Sequence, residues 1–470
     1  MSQTTQPTPI THKVRRKALG SKGAAGHLFQ SQFRRVRRPD PRNIRLGKPD
    51  SRLTAFAGLV PFGSYLREIG VDADLRRLFG HLKTGKFVVY PMATQMRLIV
   101  DANAVGEKRV FGLENLAADP LFTHLAGGTV SSIDTVYRDL ARFKPYDIVK
   151  LESFMARHGL WKKSLQGRGD VHIDIDTSVE PLFGSQEGAL PGPNPRYHGR
   201  PSYHPIFAAV AETQTCVGAS LRPGDTAFGK DDVPFVERVI DRVQAVVNPS
   251  QSLRVRIDAA GDCTPVMRAM DAKNVTFLCK AKLNEDMRTA LFETTQWRTV
   301  EHDESGRPVR QVADVDFLRK EWKKAGCSFR VCAVREKDPN SGRQVYLWPD
   351  LDYCVKAYVT NDWETDADYL AHEYEDRAEV EPLIGEWKYA MGIGAVPTDD
   401  FDSNHVMLLL KLLSYNLMRR FARRHVPELS CWRMPWLRNA LLCVPGRLVR
   451  SGRGTHLRLP PRSLLMRFLN

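Results

Sequence analysis

Residues 170–178 read DVHIDIDTS, and this stretch decides the fold that we predict. Apolar and polar residues alternate along it with the period of two that is typical of a β-strand with one buried face. The apolar set is Val171, Ile173 and Ile175, and the polar set is His172, Asp174 and Asp176. Because acids are rare on a strand that also buries a face, this strand is a candidate to carry chemistry.

A second strand of the same kind ends in an acid at LRVRID, residues 253–258. Between and after the two acidic strands, apolar periodicity predicts a strand pair, a helix, a short helix and a further strand. These elements are placed at residues 205–221, 235–243, 264–272 and 275–281. The order strand, two strands, helix, strand, helix, strand matches the layout of a ribonuclease-H-like sheet, so the predicted fold class is α/β. In that layout the strands that end in Asp176 and Asp258 are neighbours.

A third candidate acid lies in YEDRAEVEPLIGEWK, residues 374–388. Tyr374, Arg377, Glu381 and Lys388 are offset by 3, 4 and 7 residues. At about 100° per residue they fall within a stripe about 60° wide, so one helix would present all four to one surface. Pro382 directly follows Glu381, and if it begins the helix, Tyr374 and Arg377 lie on a preceding turn instead.

The pattern Y-x2-R-x3-E-x6-K, with D-T-S behind a strand and a second strand-end Asp upstream, resembles the signature of cut-and-paste DDE transposases of bacterial insertion sequences. The surrounding RAEVEPLIGEWK and FDSNHVMLLLKLLSYNLMRR resemble the branch called transposase DDE group 1. The resemblance spans about residues 165–460 and is weak in the N-terminal third. It implies a ribonuclease-H-like catalytic fold interrupted by a β-rich insertion.

The resemblance implies a role for each matching residue. Asp176, Asp258 and Glu381 would bind two Mg²⁺ ions, with Mn²⁺ as a possible substitute, and thereby catalyse cleavage at the ends of the element and strand transfer to target DNA. Tyr374, Arg377 and Lys388 would contact the DNA end. Hard cations such as Mg²⁺ prefer carboxylate oxygens, and two ions can stabilise both oxygens of a displacement at phosphorus.

Several acids compete with the three that the motif selects. Asp174 shares a strand face with Asp176, which we favour because Thr177 follows it directly, as in the family motif. Asp262 and Glu379 lie close to Asp258 and Glu381 along the chain, and surface or supporting roles are expected for them. Trp387 and Tyr389 could stack on a base of the DNA end, although packing in the core is the more usual role of such residues.

Positive charge is concentrated at the two ends of the chain. The formal net charge is +15, with a net of +10 in residues 1–50, +12 in residues 411–470 and −7 between them. Basic ends suit a polyanion, because each Lys or Arg that neutralises a phosphate releases a counterion. Candidate DNA-binding residues are Arg34, Arg35, Arg37, Arg38, Arg138, Arg142, Arg419 and Arg420.

These patterns divide the chain into five parts. Residues 1–50 are predicted to be a disordered basic arm, 51–165 a helical DNA-binding domain, and 411–470 a basic C-terminal helical region. Residues 166–282 and 355–410 form the predicted catalytic domain, which the β-rich insertion at 283–354 interrupts. The expected partner is double-stranded DNA, both the inverted repeats of the element and the target, bound by a homodimer.

The composition also restricts where the protein works. The chain contains no run of about 18 apolar residues and no apolar segment of a signal peptide, so we expect no membrane association and a cytoplasmic, nucleoid-associated protein. Two other functions remain open at this stage. One is a catalytically silent DNA-binding protein or repressor derived from a transposase, and the other is a ribonuclease-H-like nuclease without strand transfer.

Overall fold

The computed structural model of the protein describes residues 40–192, 198–337, 353–452, 454–461 and 463–468. The helices are α1 (Leu59–Glu68), α2 (Val71–Phe79), α3 (Met92–Val105), α4 (Leu113–Leu116), α5 (Pro120–Leu125), α6 (Ile133–Leu140), α7 (Pro145–Gly159), α8 (Val233–Gln244), α9 (Thr264–Ala272), α10 (Glu285–Glu293), α11 (Lys320–Ala325), α12 (Ala367–Glu375), α13 (Val380–Glu386), α14 (Phe401–His425) and α15 (Met434–Leu441). The strands are β1 (Leu53–Thr54), β2 (Asp170–Thr177), β3 (Glu180–Pro181), β4 (Leu190–Pro191), β5 (Pro201–Tyr203), β6 (Ile206–Val210), β7 (Thr215–Ser220), β8 (Ser252–Ile257), β9 (Thr276–Lys280), β10 (Arg298–His302), β11 (Pro308–Val315), β12 (Arg330–Lys337), β13 (Tyr353–Thr360), β14 (Gly446–Ser451) and β15 (Gly454–Arg458).

Five strands form the sheet that the sequence predicts. Their order is β7, β6, β2, β8, β9. β2 is parallel to β8 and β8 to β9, whereas β6 runs antiparallel to both β2 and β7. This order, with one reversed strand, is the ribonuclease-H-like arrangement, so the predicted α/β fold class is confirmed.

The β-rich segment extends this same sheet. β13 pairs antiparallel with β9, and β12, β11 and β10 follow in turn, which gives a sheet of nine strands among the described residues. The predicted strands near residues 298, 330 and 355 are present, whereas β11 was not predicted. The predicted strand at 344–349 lies outside the described residues.

The apolar face of the sheet carries one hydrophobic core. Val171, Ile173 and Ile175 of β2 and Val255 and Ile257 of β8 are at most 1% exposed. They pack against α8 and α9, whose apolar stripes fit a sheet surface. The alternating polar residues His172, Asp174 and Asp176 of β2, and Arg254 and Arg256 of β8, therefore lie on the opposite face.

A second core lies on the helical side, with α14 at its centre. This helix of 25 residues packs against α3 and α7 and reaches β7, and most of its residues are buried. Asp400 caps its N-terminus by accepting a hydrogen bond from the Ser403 backbone N–H at 2.7 Å. A helix that is apolar nearly all round belongs in the interior, and this one joins the N-terminal helices to the sheet.

Asn416 of α14 pairs with the backbone of the edge strand β7. Its Oδ1 accepts from the Cys216 N–H at 3.0 Å, and its Nδ2 donates to the Cys216 carbonyl at 2.7 Å. Both residues are at most 1% exposed. The side-chain amide thus replaces the neighbour that an edge strand lacks.

The C-terminal part differs from the helical region predicted for residues 411–470. β14 and β15 form a hairpin, and β14 also pairs with β1 near the start of the described chain. Alternation of apolar residues is weak in both strands, so the sequence offers little signal for them. No helix in the described part of the chain is long and apolar enough to cross a membrane.

Replacing Asn416 with Leu should leave the Cys216 N–H and carbonyl buried without partners. We expect the free energy of unfolding to fall by about 2 to 6 kcal/mol, because each of the two unsatisfied buried groups costs about 1 to 3 kcal/mol. Urea unfolding followed by circular dichroism measures the change. Asn439→Leu, at an exposed position of α15, is the matched control, and an equal loss in both variants would contradict the role assigned to Asn416.

Candidate active site

The polar face of β2 presents a row of charged side chains. His172, Asp174 and Asp176 point away from the apolar core, as the alternation predicts, and the neighbouring β8 contributes Arg254 and Arg256 to the same face. Glu373 of α12 reaches His172 and Arg254 of this row, and α13 contacts β2, so the row is largely buried and each charge requires a partner.

Asp174 is fully engaged by Arg256. The guanidinium donates to both carboxylate oxygens, at 2.6 and 2.9 Å, and the two residues are 2% and 3% exposed. A bidentate pair of this kind uses both oxygens of the acid. The pairing favours Asp176 over Asp174 as the acid free to act on a ligand.

Asp176 lies at the end of β2 with 13% of its side chain exposed. Its Oδ1 accepts from the Thr177 N–H at 2.9 Å and lies 3.3 Å from Nη2 of Arg377. Burial raises the pKa of the Asp176 carboxyl, and the charges of Asp258 and Glu381 raise it further, whereas Arg377 and the Thr177 N–H oppose this effect. The three acids that the motif selects therefore share one electrostatic environment.

Asp258 follows the last residue of β8. Since Ile257 pairs with Ile175, Asp258 and Asp176 come one residue later on adjacent parallel strands. Asp258 caps the short turn that follows by accepting from the Ala260 N–H at 3.0 Å through Oδ1. The predicted convergence of these two acids at one sheet end follows directly from this register.

Glu381 lies in the first turn of α13 and is exposed. The prediction of one helix for the whole motif is wrong, because α12, a 3₁₀ turn at Asp376–Glu379, α13 and a π-helical segment at Trp387–Met391 follow one another. Pro382 is the third residue of α13, where its missing N–H has no partner in the helix to lose. The motif therefore spans four helical segments.

Arg377 anchors this helical run to β2. Its Nη2 donates to the Ile175 carbonyl at 2.8 Å and lies beside Asp176, and the residue is only 5% exposed. The expected contact with DNA does not fit this burial. Tyr374 is also turned inward, with its ring centroid 4.9 Å from that of Tyr358 on β13.

Lys388 is partly accessible, with 34% of its side chain exposed. Its Nζ donates to the Val179 carbonyl at 3.2 Å and pairs with Glu180 at 2.8 Å. Burial raises the pKa of the Glu180 carboxyl, which Lys388 opposes. Gly394 permits this arrangement, because a Cβ there would lie 2.5 Å from a Glu180 oxygen.

Glu180 is a site residue that the sequence reasoning missed. It continues the even-numbered polar series of Asp174 and Asp176, and that continuation was the available signal.

The two acids that lie close to the motif acids along the chain have different environments. Asp262 is 4% exposed and binds Arg319 and the Lys282 N–H, whereas Glu379 is exposed on the 3₁₀ turn.

Among the described residues, no group of three or more His, Cys, Asp or Glu side chains is arranged to hold a metal ion. The available donors are nevertheless carboxylate oxygens, which a hard divalent cation prefers. Asp176, Asp258 and Glu381 come from three different elements, and the two neighbouring charges disfavour ionisation of Asp176. A bound cation would relieve that repulsion.

The predicted DNA-binding arginines have different environments. Arg138 is exposed on α6, as expected, and Arg142 is exposed in the turn that follows α6, where it pairs with Asp139 at 3.1 Å. Arg419 is wrong as a DNA contact, because it is 1% exposed and donates to Glu386 and to the carbonyls of Ser430 and Trp432.

Arg420 is half-buried, and its guanidinium is hydrogen-bonded within the fold. It donates to the Tyr65 hydroxyl at 3.1 Å and to the His158 carbonyl at 2.8 Å. Arg34, Arg35, Arg37 and Arg38 lie outside the described residues.

Trp387 and Tyr389 differ greatly in solvent exposure. Trp387 is 0% exposed and packs against Phe207 and Tyr415, so it is a core residue. Tyr389, two residues later, is 74% exposed. Only Tyr389 is therefore placed where it can contact a ligand.

Comparison with known proteins gives one family match. A family model described as transposase DDE domain group 1 matches residues 37–469. A solved structure of a piggyBac transposase synaptic complex with hairpin DNA is similar at 10% sequence identity and a TM-score of 0.42, over 82% of this chain and 78% of that one. No curated protein matches the sequence.

His172 should make stability depend on pH. Burial alone would lower its pKa, but hydrogen bonds with Glu212 and Glu373, each 2.7 Å long, outweigh burial and raise the pKa to about 9. Because the pKa of His172 is higher in the folded state than in the unfolded state, protonation of His172 stabilises the fold. This stabilisation is complete below about pH 6.5, the pKa in the unfolded state, and is lost as the pH rises to about 9.

The unfolding free energy should therefore decrease between about pH 6.5 and 9, by on the order of 3 kcal/mol. Urea unfolding at a series of pH values measures this. In His172→Gln the pH-dependent part should disappear. A wild-type protein whose stability stays constant over this range would contradict a charged His172.

Proposed function

We propose that this chain, which belongs to the transposase DDE domain group 1 family, cleaves DNA at the ends of an insertion sequence and transfers the cut strands to target DNA. The observation that carries the proposal is the pairing of β2 with β8. It brings Asp176 and Asp258 together at one sheet end, while Arg256 occupies the competing Asp174.

Asp176, Asp258 and Glu381 are the residues that would hold two Mg²⁺ ions, or Mn²⁺ in their place. When bound, such ions supply Lewis-acid stabilisation of the attacking and leaving oxygens of a phosphodiester. The chain's own contribution is to hold the carboxylates. The Thr177 N–H and Arg377 both stabilise the ionised form of Asp176, which is the form a cation requires.

The motif residues around Glu381 divide into two roles in this proposal. Arg377 is a positioning residue, since its guanidinium ties the helical run to the Ile175 carbonyl beside Asp176. Lys388, which is partly exposed next to the end of β2, is the one suited to a DNA phosphate. Tyr374 supports the run by packing on Tyr358.

Two further features belong to the same proposal. The partner is double-stranded DNA, both as inverted repeats and as target, and two copies of the chain act together because an element has two ends. The site of action is the cytoplasm, at the nucleoid. The eight free thiols suit a reducing compartment of this kind.

Asp258→Asn should abolish metal-dependent cleavage and preserve DNA binding. Asn keeps the oxygen that caps the following turn but loses the charge, so the fold is retained while a cation ligand is weakened. We expect the cleavage rate to fall about 100-fold or more, since even supporting residues of metal sites contribute about 10- to 100-fold. The measurement is nicking of a plasmid that carries the DNA flanking this gene, with Mg²⁺ present.

Glu379→Gln is the matched control, because it removes an exposed acid two residues from Glu381 and should leave cleavage unchanged. Cleavage that persists in Asp258→Asn contradicts the assignment of the site. Binding without any nicking by the wild-type protein would instead favour a catalytically silent DNA-binding protein. Nicking without strand transfer would favour a simple nuclease.

Arg138 and Arg142 should contribute to DNA affinity through phosphates. The double variant Arg138→Gln, Arg142→Gln should bind DNA more weakly, and the slope of log affinity against log salt should become shallower by about 2, because each phosphate contact contributes about 0.9. Fluorescence anisotropy at several salt concentrations measures the slope. Arg298→Gln, Arg307→Gln at the opposite edge of the sheet is the charge-matched control. An equal change in both double variants would contradict a specific role for Arg138 and Arg142.

A further inference from the structure

Glu381 depends on its helix for its position. Its exposed side chain makes no hydrogen bond or ion pair within the described part of the chain. The helix itself, α13, has 7 residues, which is about two turns. Because isolated helices shorter than about 12 to 15 residues are marginally stable, α13 takes its place from the contacts around it. The placement of Glu381 near Asp176 is therefore decided by the groups that hold the two sides of the helical run.

Glu386, the last residue of α13, attaches the helix to α14 and α15. Its side chain is 9% exposed, and its Oε2 accepts hydrogen bonds from Arg419 Nη2 at 2.9 Å and from the Tyr415 hydroxyl at 3.3 Å. Its Oε1 accepts from the N–H of Met434, the first residue of α15. The first N–H groups of a helix lack partners within the helix, and a carboxylate is favoured there. One buried acid therefore joins the end of α13 to two other helices.

Arg438 of α15 holds the end of the π-helical segment that follows α13. The residue is 8% exposed, and its Nη2 donates to the Ala390 carbonyl at 3.0 Å. Its Nε donates to the Ala104 carbonyl at 2.9 Å. Ala390 and Ala104 lie in the last turns of the π-helical segment and of α3, where carbonyl groups lack partners within the helix. One guanidinium therefore satisfies the ends of two helices and ties both to α15.

Lys411 of α14 supports the same end of the run. It is 1% exposed, and its Nζ donates to the carbonyls of Gly392 at 2.6 Å and Ala395 at 2.9 Å. Burial lowers the pKa of Lys411 to about 7. Neither Lys411 nor Arg438 forms an ion pair with an acid among the described residues, so both are held by carbonyl groups alone. Burying a cation in this way is costly, and the negative ends of the helices offset only part of the cost.

We propose that Glu386 and Arg438 are positioning residues for Glu381, which bind the end of the helical run to α14 and α15 and so hold the Glu381 carboxylate where it can share a divalent cation with Asp176. The inference rests on the proposed function, because it takes Glu381 as a metal ligand. It gives the basic C-terminal region a task other than DNA contact. Arg438 acts on the metal site from within the fold, and Arg419 does so through Glu386.

The test measures Mn²⁺ binding by the full chain without DNA, from the electron paramagnetic resonance signal of free Mn²⁺. Arg438→Met removes the guanidinium but keeps a long apolar side chain. Its affinity for Mn²⁺ should fall about 10- to 100-fold, the range for residues that orient metal ligands without touching the metal. Glu386→Gln, at the other attachment, should lower the affinity as well. DNA affinity, measured by fluorescence anisotropy in EDTA, should stay at the wild-type value in both variants.

A protein without the Glu381 carboxylate separates positioning from a general loss of stability. In Glu381→Gln, adding Arg438→Met should cause no further loss of Mn²⁺ affinity, because the guanidinium acts through the carboxylate that is missing. Leu437→Ala is the matched control, since it removes a fully buried side chain of α15 but no hydrogen bond to the run, and its Mn²⁺ affinity should be unchanged. Arg438→Lys keeps the charge and should lose less affinity than Arg438→Met. Circular dichroism at the assay temperature verifies that each variant is folded.

Wild-type Mn²⁺ affinity in both Arg438→Met and Glu386→Gln would overturn the positioning role. So would an equal loss when Arg438→Met is added to the wild-type protein and to Glu381→Gln, or an equal loss in Leu437→Ala. The proposed function fails in a different way. Unchanged Mn²⁺ affinity in Glu381→Gln counts against Glu381 as a metal ligand, whereas a loss in Glu381→Gln without a loss in Arg438→Met and Glu386→Gln counts against the positioning role alone.

Discussion

The row of charges on the polar face of β2 is the constraint on which the rest of the site depends. A strand whose other face is fully buried cannot turn these groups to water, so each is paired by a residue from another element. His172 lies between Glu212 and Glu373, Asp174 is held by Arg256, and Asp176 lies beside Arg377. Removing one partner would leave a buried charge, which is far more costly than the pair itself is favourable.

This pairing also places the helical run that carries Glu381. Arg256 donates to the Glu373 carbonyl, Arg377 to the Ile175 carbonyl and Lys388 to the Val179 carbonyl. The run is thus attached once to β8, through Arg256, and twice to β2 and the residues that follow it, at Ile175 and Val179. The run changes from α-helix to 3₁₀ turn, back to α-helix and then to π-helix. These three contacts, rather than one continuous helix, hold Glu381 near Asp176.

Sequence periodicity was most informative where a residue's role follows from its strand. The ends of β2 and β8, and the order of the five strands, could be predicted because alternation marks both the strand and its buried face. Charge was less informative. The basic C-terminal region suggested DNA contacts, yet Arg419 and Arg438 are buried and satisfy carbonyl groups within the fold. A long cationic side chain has the same appearance in a sequence whether it binds phosphate or a carbonyl.

The sequence by itself determined the strand acids Asp176 and Asp258, the apolar helix α14 and the family motif around Glu381, since each depends on local spacing. Only the tertiary structure shows that Asp174 is occupied, because its partner Arg256 lies 82 residues further along the chain. The tertiary structure also shows that Trp387 lies in the core whereas Tyr389 lies on the surface, and that Glu180 pairs with Lys388. Partners that are distant in sequence leave no periodic signal, and burial is set by the elements that pack from outside.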